Sequence, residues 1–196
     1  MSKEQDTVKE IVKYLFEAGQ LSEIRRGGDL LLGIDNPQTV AEHSFRAGVV
    51  GYFIGKLEGV NAEKAALTAL FNDMHESRLT DLHKIAQRYI DQKKAEKNAF
   101  EEQVEKFPEE IKKELVDNLH NLQNDGTPEG IVARDADLIE NALQYKEYVE
   151  KGHKEAQQWL DNVRKLVKTK TAKQMLDVIE KTDSRSWWKG LKKIDR

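Results

Sequence analysis

Apolar residues recur at the spacing of an α-helix along most of this chain. Residues that end helices are scarce, because the chain contains only three prolines and twelve glycines. No internal repeat and no low-complexity tract interrupts the pattern. The sequence therefore predicts an all-α fold.

Signals at the ends of the helical segments divide the chain further. Gly19 closes a first helix, and Asn61 is placed to cap a later one. Residues 20–38 are glycine-rich and are predicted as a loop, and NDGTPEG at 124–130 is predicted as a turn inside the domain. The predicted helices are about Thr7–Ala18, Thr39–Leu57, 61–78, charged segments between 82 and 121 that break at Pro108, 131–152, Gln157–Val167 and Thr171–Lys181.

Length and composition limit the class of protein. A chain of 196 residues has the length of one domain, and we expect residues 1–196 to form it. Charged residues make up 34% of the chain but leave a net charge of −3, which is typical of a solvated helical surface and argues against a nucleic acid polymer as ligand. The absence of cysteine excludes thiol nucleophiles, cysteine zinc sites and disulfides. No apolar stretch reaches the ~20 residues of a membrane-spanning helix, so we expect no membrane contact and a cytoplasmic location.

The segment FNDMHE at 71–76 concentrates ionisable side chains beside apolar ones. Asp73 and Glu76 are three residues apart and share a face of a helix. A buried carboxylate needs a partner, and a divalent metal ion is one such partner. His75 is two residues from Asp73, about 200° around a helix, so we expect it to be half-exposed and not to bind the same ion.

Three further segments carry candidate residues. His43 lies in VAEHSFRAG, and Asp137 and Glu140 share one side of the helix RDADLIENAL, from which Asp135 points away. Arg26 lies in a glycine-flanked basic loop, and arginine can hold a phosphate with two parallel hydrogen bonds. From the residues alone, a second interpretation of each segment stays open. His43 is then a histidine at the edge of the core, RDADLIENAL a solvated acidic helix, and the loop at Arg26 a flexible connector.

Four segments, taken in chain order, resemble the motifs of the HD-domain phosphohydrolases, in particular the group that includes the 5′-deoxynucleotidases. These segments are LSEIRRGG, VAEHSFRAG, LFNDMHESRLTDL and RDADLIENALQYKEY. The resemblance covers about residues 20–190 and implies the HD-domain helical bundle, whose members are often homodimers. It implies a catalytic glutamate at Glu76, a catalytic aspartate at Asp81 and a phosphate-binding arginine at Arg26. The metal ligands that it implies are His43, Asn72, Asp73 and Asp137.

Asn72 departs from this resemblance, because the family has a histidine at that position. An amide oxygen is a weaker, neutral ligand that suits hard ions better than imidazole does. His43, Asp73 and Asp137 remain as strong ligands, and water can complete the shell of a divalent ion. We therefore expect a divalent ion (Mn, Co, Mg, Ni or Zn) that binds less firmly than it would beside the histidine.

The function that the resemblance implies is that of a metal-dependent phosphohydrolase. Its substrate would be a (deoxy)nucleoside monophosphate or a similar small phosphate, from which activated water removes the 5′-phosphate. Asn72 leaves two alternatives open: a pseudoenzyme or nucleotide-binding regulatory module, and an inactive form in which the asparagine was introduced. The last alternative is a purely structural helical protein. Under this alternative, the ordered match of four motifs is a coincidence.

Overall fold

The structure is a computed structural model that describes residues 3–191. Every regular element within this range is a helix, which confirms the predicted all-α class. None of these helices is both long and apolar enough to span a bilayer. The ends of the predicted domain, residues 1–2 and 192–196, lie outside the described range, and the single domain stays a prediction. The elements are α1 (Lys3–Gln20), α2 (Gly27–Leu31), α3 (Val40–Glu58), α4 (Ala62–Phe71), α5 (Glu76–Leu79), a 3-10 helix (Ala86–Arg88), α6 (Gln92–Val104), α7 (Glu109–Asn124), α8 (Pro128–Glu150), α9 (Ala156–Arg164) and α10 (Lys170–Lys181).

Side-chain caps fix where the helices that carry the candidate residues begin. Thr39 accepts a hydrogen bond from the backbone N–H of Glu42, whose carboxylate accepts one from the N–H of Thr39, so α3 begins with a capping box. Asn61 caps α4 and Thr127 caps α8 in the simpler way, with one side-chain oxygen each. The observed starts at Thr39 and Asn61 agree with the predicted ones.

The long helix α8 lies at the centre of the bundle and packs against α3, α4, α7, α9 and α10. Small residues let α3 and α4 approach each other closely: a Cβ added at Gly55 would lie 2.7 Å from the Cα atom of Ala62. The core between α3, α4 and α8 is apolar and includes Ile54, Val132 and Ile139. This packing holds α3, the end of α4 and α8 together at one cleft.

Residues 82–91, predicted to belong to a charged helix, contain only the 3-10 helix Ala86–Arg88 before α6 begins. Two further segments differ from the prediction. The predicted helix over 61–78 ends at Phe71 and restarts at Glu76, because the N–H groups of Asn72, Met74 and Glu76 bond to carbonyls three residues back instead of four. The predicted loop over 20–38 contains the short helix α2, and an antiparallel pairing of Arg25 with Thr39 holds this segment against the start of α3. Both differences lie at the cleft.

Candidate functional site

A cleft of about 710 Å³ opens where α2, the turn at 72–75 and α8 meet. This volume is in the range of pockets that hold small molecules. Most of the residues predicted to be functional line it, and His43 is buried next to them. The predicted residues in the lining are Arg26, Asn72, Asp73, Glu76, Asp81 and Asp137.

His43, from α3, is the centre of a cluster of carboxylates. Its Nε2 atom lies 2.8 Å from Oδ1 of Asp137 and 3.3 Å from Oδ2 of Asp73. One ligand atom from each of His43, Asp73 and Asp137 lies within 4.8 Å of the other two. We call these three residues the His-Asp-Asp cluster. Three distant parts of the chain thus supply one imidazole and two carboxylates, which is a donor set that suits a divalent cation.

Glu140 holds the imidazole of His43 from behind. It is fully buried and accepts hydrogen bonds from Nδ1 of His43, from Nε2 of Gln38 at 2.7 Å and from Nε of Arg46 at 2.9 Å. Burial opposes its ionisation, but His43 and Arg46 lower the pKa of Glu140 to about 2. The carboxylate therefore fixes the proton of a neutral His43 on Nδ1 and leaves Nε2 as the donor atom toward a cation.

The charges around His43 show why a cation fits there. Burial and Arg26 lower the pKa of His43, but the carboxylates of Glu140, Asp137 and Asp73 outweigh them and raise it well above its ordinary value. The pKa of Asp73 is about 2, because hydrogen bonding and attraction to His43 overcome its burial. In the folded chain, these carboxylates attract a positive charge to Nε2, and a proton or a metal ion can supply it.

Asn72 lies beside the His-Asp-Asp cluster as the cap residue at the end of α4. Its amide Nδ2 donates a hydrogen bond to Oδ1 of Asp73 at 2.7 Å. The residue at which the sequence departs from the resemblance is therefore next to the candidate metal ligands and also lines the cleft. Its own role as a ligand stays a prediction.

Arg26 brings a positive charge to the same place. Its Nη1 atom lies 3.6 Å from Oδ2 of Asp73, its Nε lies 3.2 Å from Oδ2 of Asp81, and its Nη2 donates to Oδ1 of Asn141 at 3.2 Å. Oδ2 of Asp81 also accepts the backbone N–H of Gly27 at 3.1 Å. A Cβ at Gly27 would lie 2.3 Å from the carbonyl oxygen of Asp81, so only glycine allows this contact. Asp81 thus fixes the position of the guanidinium, and its catalytic role stays a prediction.

Glu76 lines the cleft at the start of α5 and is buried. Its Oε2 atom has no hydrogen-bond partner among the described residues. Burial, together with the charges of Asp73 and Asp81, raises the pKa of Glu76 well above its ordinary value. A carboxyl group in this state readily holds a proton, and groups with such shifts are common at functional sites.

The expectation that His75 is half-exposed is wrong. Its exposed fraction is 4%, it lines the cleft, and its Nε2 lies 3.7 Å from Oε1 of Glu96 on α6. The prediction assumed a continuous helix, whereas the chain makes a turn at 72–75. The prediction that His75 does not bind the same ion as Asp73 agrees with the structure, because His75 is outside the His-Asp-Asp cluster.

Other residues of the cleft carried no predicted role. His83 lines it, and so do Tyr145 on α8 and Trp159 on α9. Periodicity indicates that α9 is amphipathic but cannot show which neighbour its apolar face meets. Asp135 does point away from the cleft, as predicted, and accepts the backbone N–H groups of Lys168 and Thr169 before α10.

The sequence model of the HD domain family matches residues 18–179, which include every one of these candidate residues. The chain belongs to the HD domain family. The resemblance that the four motifs indicated is therefore confirmed, and so is the helical bundle that it implied. In this chain, the fold brings His43, Asp73 and Asp137 together.

Relatives match most of the length of this chain. The human 5′-deoxynucleotidase HDDC2 is 25% identical over 147 residues, which cover 74% of this chain and 72% of the relative. The Dictyostelium discoideum protein of the same name is 27% identical over 143 residues, 69% of this chain and 75% of the relative. A solved structure of a conserved hypothetical protein from Pyrococcus furiosus is 27% identical, with a TM-score of 0.73, and the match covers 87% of this chain and 97% of that one. Family membership and these relatives together support a metal-dependent phosphohydrolase.

Proposed function

We propose that this protein removes the 5′-phosphate from (deoxy)nucleoside monophosphates or similar small phosphates in a metal-dependent hydrolysis. The observation that carries the proposal is the convergence of His43, Asp73 and Asp137 beside the guanidinium of Arg26. The homology to 5′-deoxynucleotidases, at about 25% identity, supports a nucleotide as the substrate.

The His-Asp-Asp cluster would hold the metal ion, with Asn72 beside it as a fourth candidate. One imidazole and two carboxylates accept several divalent ions, so Mn, Co, Mg, Ni and Zn all remain candidates. When bound, such an ion supplies Lewis-acid chemistry, because it polarises a phosphoryl oxygen and makes water more acidic.

Arg26 would bind the phosphate. Asp81 and Asn141 hold its side chain at the cleft, and the exposed fraction of that side chain is 16%, so the charge is both fixed and accessible. Hydrogen bonds from a guanidinium to a phosphate are charge-assisted and stronger than neutral ones. Asp81 acts in this proposal as the residue that positions Arg26.

Glu76 would accept the proton of the attacking water. The water oxygen forms a bond to phosphorus and the bond from phosphorus to O5′ breaks. The leaving O5′ takes one proton from solvent and Glu76 later releases the proton that it accepted, which yields a nucleoside and inorganic phosphate. In its ionised form, a buried carboxylate whose Oε2 has no partner among the described residues can take up that proton, and the raised pKa makes it a stronger base. The proximity of Glu76 to Asp73 supports this role, since the charge of Asp73 raises its pKa.

The test measures phosphate release by protein that is stripped of metal and then supplied with Mn, Co, Mg, Ni or Zn in turn. The substrates are nucleoside 5′-monophosphates with ribose and deoxyribose, and Glu76→Ala is the control. We expect turnover with at least one metal and one nucleotide, well above that of the control. Turnover no higher than that of Glu76→Ala in every combination would refute the proposal.

Asn72 supports a second candidate function, a nucleotide-binding module without turnover. Its amide donates a hydrogen bond to Asp73 where the family has a metal-binding histidine. Nucleotide binding without phosphate release under all the conditions above would favour this module over the enzyme.

A further inference from the structure

An apolar part of the cleft lining takes no part in the steps above. Trp159 from α9 and Tyr145 from α8 lie in this part with their ring centroids 5.5 Å apart and their planes at 83°. This edge-to-face contact fixes the orientation of the indole. Leu138, Val163 and Leu166 add aliphatic surface to the same lining.

Gly28 places this indole close to the candidate phosphate-binding residue. A Cβ added at Gly28 would lie only 2.9 Å from Cζ3 of Trp159, so the ring lies against the backbone two residues after Arg26. Arg26, Gly28 and Trp159 all line the cleft. A fixed positive charge and a flat aromatic surface are therefore neighbours in one cleft, which is the pairing that a ligand with a phosphate and a planar ring requires.

We propose that the base of the nucleotide stacks on Trp159 while its phosphate is bound at Arg26. This inference rests on the proposed function, because it takes a nucleoside monophosphate as the substrate. Stacking on an aromatic side chain tolerates different bases, since every base has a π-face. Trp159 therefore selects nucleotides over sugar phosphates without a base, and it discriminates weakly among the bases themselves.

Tryptophan fluorescence tests the contact directly and does not depend on turnover. The chain contains three tryptophans, so the double variant Trp187→Phe/Trp188→Phe leaves Trp159 as its only tryptophan, whose emission is excited selectively at wavelengths that tyrosine does not absorb. Deoxyadenosine 5′-monophosphate should quench this emission, and 2-deoxyribose 5-phosphate should leave it nearly unchanged. Equilibrium dialysis of both ligands gives their occupancies, with emission and dialysis measured without added metal ion so that neither ligand is hydrolysed. Bound nucleotide with unchanged emission, or equal quenching by both ligands at equal occupancy, would overturn the inference.

Kinetics with the same two substrates provide the second test. Trp159→Ala should raise the ratio of the KM for the nucleotide to the KM for 2-deoxyribose 5-phosphate by about 10- to 100-fold, and Trp159→Phe should restore most of the difference. Trp187→Ala is the matched control, because Trp187 is 75% exposed and does not line the cleft. An unchanged ratio in Trp159→Ala, with the fold intact by circular dichroism, would overturn the inference.

The two proposals fail in different ways. Phosphate release that is insensitive to Trp159, with no response of its emission to bound nucleotide, refutes stacking and leaves the proposed function standing. Absence of phosphate release from every nucleotide refutes the proposed function. Stacking would still be supported if the nucleotide quenched the emission of Trp159 and 2-deoxyribose 5-phosphate did not.

Discussion

Two buried glutamates flank the candidate metal ligands, Glu140 behind His43 and Glu76 in the cleft lining. The oxygens of Glu140 accept hydrogen bonds from three side chains, whereas Oε2 of Glu76 accepts none from the described residues. Their pKa values are shifted in opposite directions, down to about 2 for Glu140 and well up for Glu76. The same type of side chain, buried in both places, thus exists in two electrostatic states.

The opposite pKa shifts distinguish Glu140, which holds the site in place, from Glu76, which can react in it. A buried carboxylate with several donors is fixed in place, and its removal leaves those donors without a partner. A buried carboxyl group with an unpartnered oxygen adds little to stability but is ready for a hydrogen bond or a proton from a ligand. We therefore expect substitutions of the two glutamates to affect different measurements.

The largest effect on stability is expected from Glu140→Ala. This change leaves His43 and Arg46 without their shared carboxylate in the interior, and the loss of one partner of a buried ion pair costs about 3–5 kcal/mol. Urea denaturation should show a fall of this size in the free energy of unfolding, and metal binding should fall with it.

Glu147→Ala is the matched control for this prediction. Glu147 also pairs with Arg46, at 2.7 Å, but the exposed fraction of its side chain is 30%. A partly exposed pair contributes about 1 kcal/mol or less. Equal losses in the two variants would contradict the assignment of Glu140 as the residue that holds His43.

The largest effect on activity is expected from Glu76→Gln. If Glu76 accepts the proton of water, phosphate release should fall about 10²- to 10⁴-fold. The free energy of unfolding should not decrease, because the change removes a buried carboxyl group that is poorly satisfied. A loss of stability as large as that of Glu140→Ala would show that the two glutamates do not differ as we infer.

The same comparison predicts opposite pH dependences for the metal-free protein. The raised pKa of Glu76 means that its ionisation destabilises the fold as pH rises above about 4.5, so Glu76→Gln should gain stability relative to the wild type toward neutral pH. The lowered pKa of Glu140 means that its contribution is present at neutral pH and is lost as pH falls toward about 2, so the deficit of Glu140→Gln should shrink in acid. Urea denaturation of both variants across this range measures the two trends.

A smaller effect is expected at Asn72, which is hydrogen-bonded to the candidate ligand Asp73. Asn72→His adds an imidazole where the resemblance implies one, and we expect divalent metal to bind at least about tenfold more tightly, since even the loss of outer-shell partners costs 10- to 100-fold. Competition with a chelator measures the change. Greater affinity with faster phosphate release would identify the asparagine as the weak point of an active site. No gain in either, with nucleotide bound tightly by both forms, would favour the binding module.

Sequence alone predicts the helical class and the identities of the candidate ligands for a clear reason. Helical periodicity is a local property, and the motifs around His43, Asp73 and Asp137 have recognisable residue types in a fixed order. Their meeting point depends on how α3, α4 and α8 pack, which is seen only in the structure.

The turn at 72–75 and the position of Trp159 could not be predicted in this way. The carbonyl oxygen of Met74 accepts the backbone N–H and the hydroxyl of Ser77, and it also accepts Nε2 of Gln103, on α6, at 3.0 Å, which ties the turn to α6. Gln103 is 29 residues away from Met74 in sequence, and no local pattern indicates this contact. Trp159 likewise reaches the cleft through the packing of α9 on α8.

The smallest effect on the site is expected from a substitution on the outer face of α3. Phe45 is two residues from His43, about 200° around the helix, and it forms an exposed apolar row with Val49 and Phe53. Apolar patches of this kind often mark protein contacts, and this one is our candidate interface for the predicted homodimer.

Phe45→Glu should convert the dimer to a monomer in light scattering coupled to gel filtration and should leave phosphate release close to that of the wild type. Val178→Glu, at an exposed apolar position on α10, is the control, and a wild-type monomer at micromolar concentration would show that the homodimer prediction is wrong.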